Sequence, residues 1–401
     1  MARNVVFISP FPTEATLRFI RAVSKMEDVR LLGVVHTPPP GADALFHDFV
    51  RVTEPMNVED SIEAIEILKK RHGDPYRIVG VLEAMTVHVA QVREHFGVPG
   101  TSSKVAELFR DKARMKDTLR AAGLPVARHK VITSASDATE LGAEVGYPII
   151  VKPLAGLGSR ATFRVRSEQE FLSAIASTNL PVLAEEMLVG TEHTMETITI
   201  DGEPRVVSFS RYYPSCLEAV ENPWIQWACV LPREIDDPVY EEAKKLGVAA
   251  IAALGLETEM THMEWFQRKD GSLAIGEIAQ RPPGPQLCQM TGLVHDVDVY
   301  RAWGRAVIDG AFDGPWERKY AAGAAFIRSV GHGRVIGVSG LRETHQQIGL
   351  WLVEAKIPSI GDRKGEGYEG DGYIVVKAES TKKVQELIDT IVNTIRIAYS
   401  S

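Results

Sequence analysis

Met260-Thr261-His262-Met263-Glu264-Trp265-Phe266-Gln267-Arg268-Lys269-Asp270-Gly271-Ser272-Leu273-Ala274-Ile275-Gly276-Glu277-Ile278-Ala279-Gln280-Arg281 reads as two strands around Asp270-Gly271, a dipeptide that closes tight hairpins. Taken as a two-residue turn, it sets Lys269 against Ser272. Counting back along both strands sets Glu264 against Glu277. Side chains alternate along a strand, so His262, Phe266, Ile275, Ala279 and Arg281 share the face of that pair, and Trp265 faces Gly276 on the other. Like charges placed opposite each other destabilise a sheet. A shared proton, a nearby cation or a divalent metal offsets the repulsion, and carboxylates beside phosphate oxygens suit Mg²⁺. A solvated surface hairpin is the competing reading. Phe266 and Ile275 on the shared face argue against full solvation.

Before this hairpin, residues 194–200 and 205–210 flank Asp201-Gly202, a second hairpin, and 238–254 is helical in pattern. Tyr147-Pro148-Ile149-Ile150-Val151-Lys152-Pro153 is a short apolar strand ending in lysine, and a small-residue loop runs from Ala155 to Thr162. Small residues let backbone N–H groups approach phosphate oxygens. The spacing is neither a Walker A loop nor a dinucleotide fingerprint, and a plain loop fits equally well. Strand 163–165, helix 168–177 and strand 182–186 complete a compact α+β unit. At its end, the 182–187 strand end offers backbone groups to a nucleotide base, and Glu192 a carboxylate for ribose hydroxyls.

The N-terminal third alternates strand 5–8, helix 14–25 and strand 29–35, with helix 60–71, strand 78–82 and helix 87–96 following. That order predicts a parallel sheet covered by helices. Residues 108–122 read as one basic helix. Beyond Gly310 come mixed short strands, a strand at 373–378 and a last helix at 381–397. The fold class is α/β and α+β, divided as 1–104, 105–310 (with a lid at about 128–188) and 311–401.

A chain of 401 residues fits two or three domains. A net charge of −8 with no long basic run argues against nucleic-acid binding. The three cysteines, Cys216, Cys229 and Cys288, are not at metal-ligand spacing, and a reducing cytoplasm is the expected compartment. No stretch reaches the length of a membrane span, and the short apolar start followed by proline is a strand rather than a leader.

In this order, the motifs resemble the ATP-grasp superfamily, in particular its carboxylate–amine (amino-acid or dipeptide) ligase branch. Asp111-Lys112-Ala113-Arg114-Met115-Lys116, the Lys152 strand, Glu185-Glu186-Met187-Leu188-Val189-Gly190-Thr191-Glu192, Glu264 and Gly276-Glu277-Ile278-Ala279-Gln280-Arg281-Pro282-Pro283-Gly284 carry the likeness. It implies an ATP-grasp fold behind a Rossmann-like N-terminal domain. It implies ATP phosphates at Lys112 and Lys152, under a loop containing Gly156, Gly158, Ser159 and Arg160. Adenine would lie at Glu185 or Glu186 and the Leu188 backbone, and ribose at Glu192. Mg²⁺, as two ions that Mn²⁺ can replace, would be held by Glu264 and Glu277. Arg281 would stabilise the acyl phosphate or the transferring phosphoryl group. Many relatives carry Asn two residues after the second Glu. Here Ala279 stands there, and Gln280 points to the opposite face.

A small-molecule carboxylate and an amine are the implied substrates, an amino acid the preferred carboxylate, and a homodimer is common in the superfamily. His262, on the metal face, is a candidate to orient a ligand or take the amine's proton. Arg211 could pair with a substrate carboxylate and Trp224 or Trp227 wall a pocket. His332, between Gly331 and Gly333, is open between ligand contact and structure. The rival readings are a ligase or carboxylase of purine or bicarbonate metabolism, and a nucleotide-binding protein without turnover.

Overall fold

The computed structural model describes residues 2–400 except 12, 157–160, 223, 285 and 366–368. Strands Asp48–Arg51, Val29–Val35, Arg3–Ile8 and Arg77–Val79 lie side by side in that order, all parallel. Val6 and Ile8 turn to one face, against Ile65, Leu68, Val89 and Val92 of helices Val58–His72 and Thr86–Phe96. Val5 and Phe7 turn to the other, against Phe19, Ile20 and Trp303. A strand buried on both faces must be apolar throughout, which explains the unbroken run at 5–8. Each such side chain contributes roughly 1.5–3 kcal/mol of burial.

A second sheet, four antiparallel strands in the order His129–Ile132, Val182–Glu186, Ile149–Pro153, Phe163–Val165, packs under helices Ala135–Val145 and Glu168–Ala176. The third is an eight-stranded antiparallel sheet. Its order is Leu273–Gln280, Glu259–Arg268, Gly190–Ile200, Glu203–Tyr213, Trp227–Leu231, Ala321–Ile327, Gly372–Ala378, Leu352–Lys356. Among the described residues no helix is long and apolar enough to cross a membrane.

The first hairpin closes as expected, with Asp201 (φ 51°) and Gly202 (φ 78°) both left-handed. The second does not. Arg268 N–H donates to Ser272 O at 2.8 Å and Gly271 N–H to Arg268 O at 3.0 Å, so the loop is Lys269-Asp270-Gly271. That moves the register by one and pairs Trp265 with Ile275. A bulge at Gly276 moves it back, so Glu264 does face Glu277 and His262 faces Ala279. Two departures cancel at the carboxylates. Ile275 is displaced to the opposite face, into the core with Met263, Trp265 and Ile278. Trp265 accordingly faces Ile275, not Gly276. Glycine fits the bulge without displacing its neighbours: a Cβ there would lie 2.9 Å from the Phe266 ring and 3.3 Å from Glu264 O.

Three further expectations change. The helix expected over 108–122 is two, Ser103–Arg110 and Lys112–Ala121. Asp111 breaks it because its carboxylate accepts from Ala113 N–H at 2.9 Å and Arg114 N–H at 3.1 Å, a strong N-cap. The segment holding Arg211, Trp224 and Trp227, which reads as long and irregular in sequence, contains helix Cys216–Glu221 and strand Trp227–Leu231. The last helix ends at Thr394, and Arg396–Tyr399 pairs with Val335–Ser339 as a separate two-stranded sheet.

Candidate active site

A cavity of about 1730 Å³ opens between the three sheets. Lys112, Lys152, Gly156, Glu185, Glu186, Leu188, Glu192, His262, Glu264, Glu277 and Arg281 all line it, so these sequence candidates converge on one space. Gly158, Ser159 and Arg160 lie outside the described residues. The Gly156 carbonyl accepts from Lys112 Nζ at 3.3 Å and from Arg110 at 3.2 Å.

The cavity floor is a ladder of alternating charge. Lys112 Nζ lies 2.9 Å from Glu277, and Lys152 Nζ lies 2.7 Å from Glu185 and 3.9 Å from Glu277. Burial opposes the Lys152 charge, but Glu185 and Glu277 outweigh it and hold the ammonium above its ordinary range. Burial likewise opposes the Glu277 charge, yet Lys112 and Lys152 bring that carboxyl down to about 2. The sheet therefore tolerates Glu264 facing Glu277 because two ammonium groups stand beside one of them.

Glu192 differs. Burial and the neighbouring Glu264 push its carboxyl up to about 8, so it is largely protonated at neutral pH. A divalent cation arriving at Glu264 would lower it. His262 Nδ1 is 3.0 Å from Glu196 Oε1, and its Nε2 is 3.8 Å from Glu264. The imidazole stands opposite Ala279, where a longer side chain would compete for the same face. Among the described residues no three metal-capable side chains cluster. Glu264 and Glu277 would bind a cation only with phosphate oxygens and water completing its shell, which Mg²⁺ accepts. Lys112 and Lys152 offer ammonium groups to a polyphosphate, and Glu264 and Glu277 offer carboxylates to its Mg²⁺, so the residues present fit MgATP.

Several participants escaped the sequence reading. Lys116 is fully buried, 3.0 Å from Glu185, and donates to the Gly276 carbonyl at 2.6 Å. The bulge thus frees a carbonyl for a lysine. Lys116 stands one helical turn after Lys112, and this i, i+4 spacing was the available signal. Glu83, from the parallel-sheet layer, holds Arg281 at 2.7 Å and Arg110 at 3.3 Å. Arg128 clamps Glu186 through side chain and backbone, at 2.8 and 2.9 Å. Nothing local in the sequence joins these partners.

The substrate candidates divide. Arg211 lines the cavity and lies over the Tyr213 ring at 4.8 Å. Trp227 is fully buried, its indole N–H given to Pro214 O at 3.1 Å, so it is core rather than pocket wall. Trp224 is 63% exposed and does not line the cavity. His332 lines a separate cleft.

Within this arrangement of sheets and charges, residues 117–284 match the family model of the ATP-grasp domain. Those residues form an ATP-grasp domain within the chain. It is 30% identical over 247 residues to an L-arginine-specific L-amino acid ligase of Bacillus subtilis, a match spanning 59% of this chain and 58% of that protein's length. Among solved structures it superposes on the L-amino acid ligase from Bacillus licheniformis with a TM-score of 0.82 at 18% identity, covering 100% and 99% of the two chains. Phosphoribosylglycinamide synthetase from Anaerococcus prevotii gives 0.72 at 18% identity, with both chains fully covered. At these identities the two structures speak for the fold.

Proposed function

We propose that the protein is an ADP-forming carboxylate–amine ligase whose carboxylate substrate is an amino acid. The observation that carries this is the convergence of Lys112, Lys152, Glu264, Glu277 and Arg281 on one cavity. The partial match to an amino-acid ligase favours that substrate class.

A carboxylate resists attack by an amine because oxide is a poor leaving group. Transfer of a phosphoryl group changes that. A carboxylate oxygen bonds to the γ-phosphorus of ATP as the bond to ADP breaks. The amine nitrogen then bonds to the acyl carbon, and the C–O bond to phosphate breaks. The protein's part is positioning and charge neutralisation. Lys112 and Lys152 would exchange their carboxylate partners for phosphate oxygens. Arg281, oriented by Glu83, would meet the charge developing on the transferred group. Mg²⁺ at Glu264 and Glu277 would neutralise phosphate charge. Glu185 or Glu186 with the Leu188 backbone would meet adenine, and Glu192 the ribose. His262, paired with Glu196, would take the proton the amine loses. The four-stranded unit within 128–188 would shut water out of the acyl phosphate. The division into 1–104, 105–310 and 311–401, and a reducing cytoplasmic setting, belong to the same proposal.

Phosphate release from MgATP with amino acids, singly and in pairs, tests it. Release that needs particular amino acids and disappears in Glu277→Gln supports the ligase. Stimulation by bicarbonate or formate instead would replace the amino-acid assignment, and ATP binding with no stimulated release would overturn turnover altogether.

A further inference from the structure

The C-terminal region holds a second cleft, of about 640 Å³, lined by Arg328, Ser329, His332, Arg334, Arg363 and Lys364 among others. In a chain of net charge −8, this is a local excess of cation. Among the described residues, the one acidic side chain lining it is Asp371, which accepts from the Tyr399 hydroxyl and the Gly365 N–H.

The two loops that make the cleft are stapled together by backbone. Lys364 N–H donates to Gly333 O at 3.0 Å, Val335 N–H to Asp362 O at 2.9 Å and Gly361 N–H to Val335 O at 2.8 Å. Arg334 and Arg363 are thereby bridged as an antiparallel pair. Like charges directly opposite repel, and no strand propensity asks for two arginines there. None of Arg328, Arg334, Arg363 and Lys364 forms an ion pair among the described residues. Arg334 donates to Gly361 O at 2.6 Å, and Lys364 lies over the Tyr399 ring at 5.6 Å. The guanidinium of Arg328, a residue 5% exposed, donates to the carbonyls of Ile225 and Ala219, at 2.6 and 2.7 Å. Four cations thus line one concave space on a fixed frame, and among the described residues none of them is ion-paired.

We infer that this cleft is a second ligand site, taking the oxyanion of a small molecule, a phosphate or carboxylate group bound by Arg334, Arg363 and Lys364. A dianion between the two arginines would convert their repulsion into paired charge-assisted hydrogen bonds. Gly370 lines both this cleft and the main cavity, so the two sites share a wall.

The test uses the whole chain saturated with a non-hydrolysable ATP analogue and Mg²⁺, so that the lysines of the main cavity are covered. Inorganic phosphate and, separately, succinate are titrated by calorimetry. At least one should bind, more weakly as KCl rises. The Arg334→Gln/Arg363→Gln double variant should weaken it about tenfold or more and leave affinity for the ATP analogue unchanged. Both arginines are exposed, so the variant is expected to fold, which its circular dichroism checks. Phosphate binding without succinate binding assigns a phosphate ligand, and the reverse a dicarboxylate. Absence of binding by both anions, or equal binding by the variant, overturns the site.

Discussion

Two pairs of like charges face each other in this molecule, and they are handled in opposite ways. Glu264 and Glu277 sit opposite on neighbouring strands, and Lys112 and Lys152 reach one of them from two other elements. Arg334 and Arg363 sit opposite on bridged loops, and among the described residues neither forms an ion pair. The first pair is half-buried and stands in a charge ladder built within the chain. The second is at the surface, where water screens it. Compensation from within is needed where desolvation is severe, and its absence is affordable only where solvent or a ligand can supply it.

The comparison can be broken in four places. Glu277→Gln removes the carboxylate both lysines share, and phosphate release should fall about 100-fold or more if that carboxylate holds the metal. A variant that keeps its rate would remove Glu277 from the chemistry. Lys116→Met takes a cation from buried Glu185 and orphans the Gly276 carbonyl, which should cost about 3–5 kcal/mol in urea unfolding. A loss below about 1 kcal/mol would mean that water reaches Glu185 and the ladder is not closed.

The third concerns buried groups held neutral. Burial, reinforced at His193 by Arg211, brings both His193 and His295 down to about 4. The unfolded chain, with histidine near 6.5, then binds more protons than the folded one between those values. Stability contributed by the neutral rings is complete above about 6.5 and is lost as pH falls through about 4. The slope is up to about 1.4 kcal/mol per pH unit for each ring. The His193→Gln/His295→Gln variant should flatten the melting-temperature profile across that window, and an unchanged slope would assign the acid sensitivity elsewhere. Smallest of all, Arg363→Gln should change stability by less than about 1 kcal/mol, towards stabilisation at low salt, the difference fading in high salt. A clear loss would show that Arg334 and Arg363 already have compensation.

Much of this was legible in the chain. Periodicity separated the doubly buried parallel strands from the antiparallel hairpins, and the Lys152 strand and the two glutamates were found from local pattern. What was not legible is relational. Lys116, Glu83, Arg128 and Glu196 gain their meaning from partners far away in sequence. Asp111 was taken as a helix residue because one side chain's choice to cap is invisible to a period. At Asp270-Gly271 the dipeptide suggested a two-residue turn, while Asp270 also accepts from Ser272 N–H at 3.0 Å and thereby favours the longer loop.

The bulge at Gly276 has a mechanical consequence. It works as a vernier between hairpin tip and chemistry: whatever phase the loop imposes, one unpaired residue resets it before the strands reach Glu264 and Glu277. The two ends of that hairpin thus carry different demands: at the reset point a Cβ would press on the Phe266 ring, and the spare carbonyl there accepts from a buried lysine.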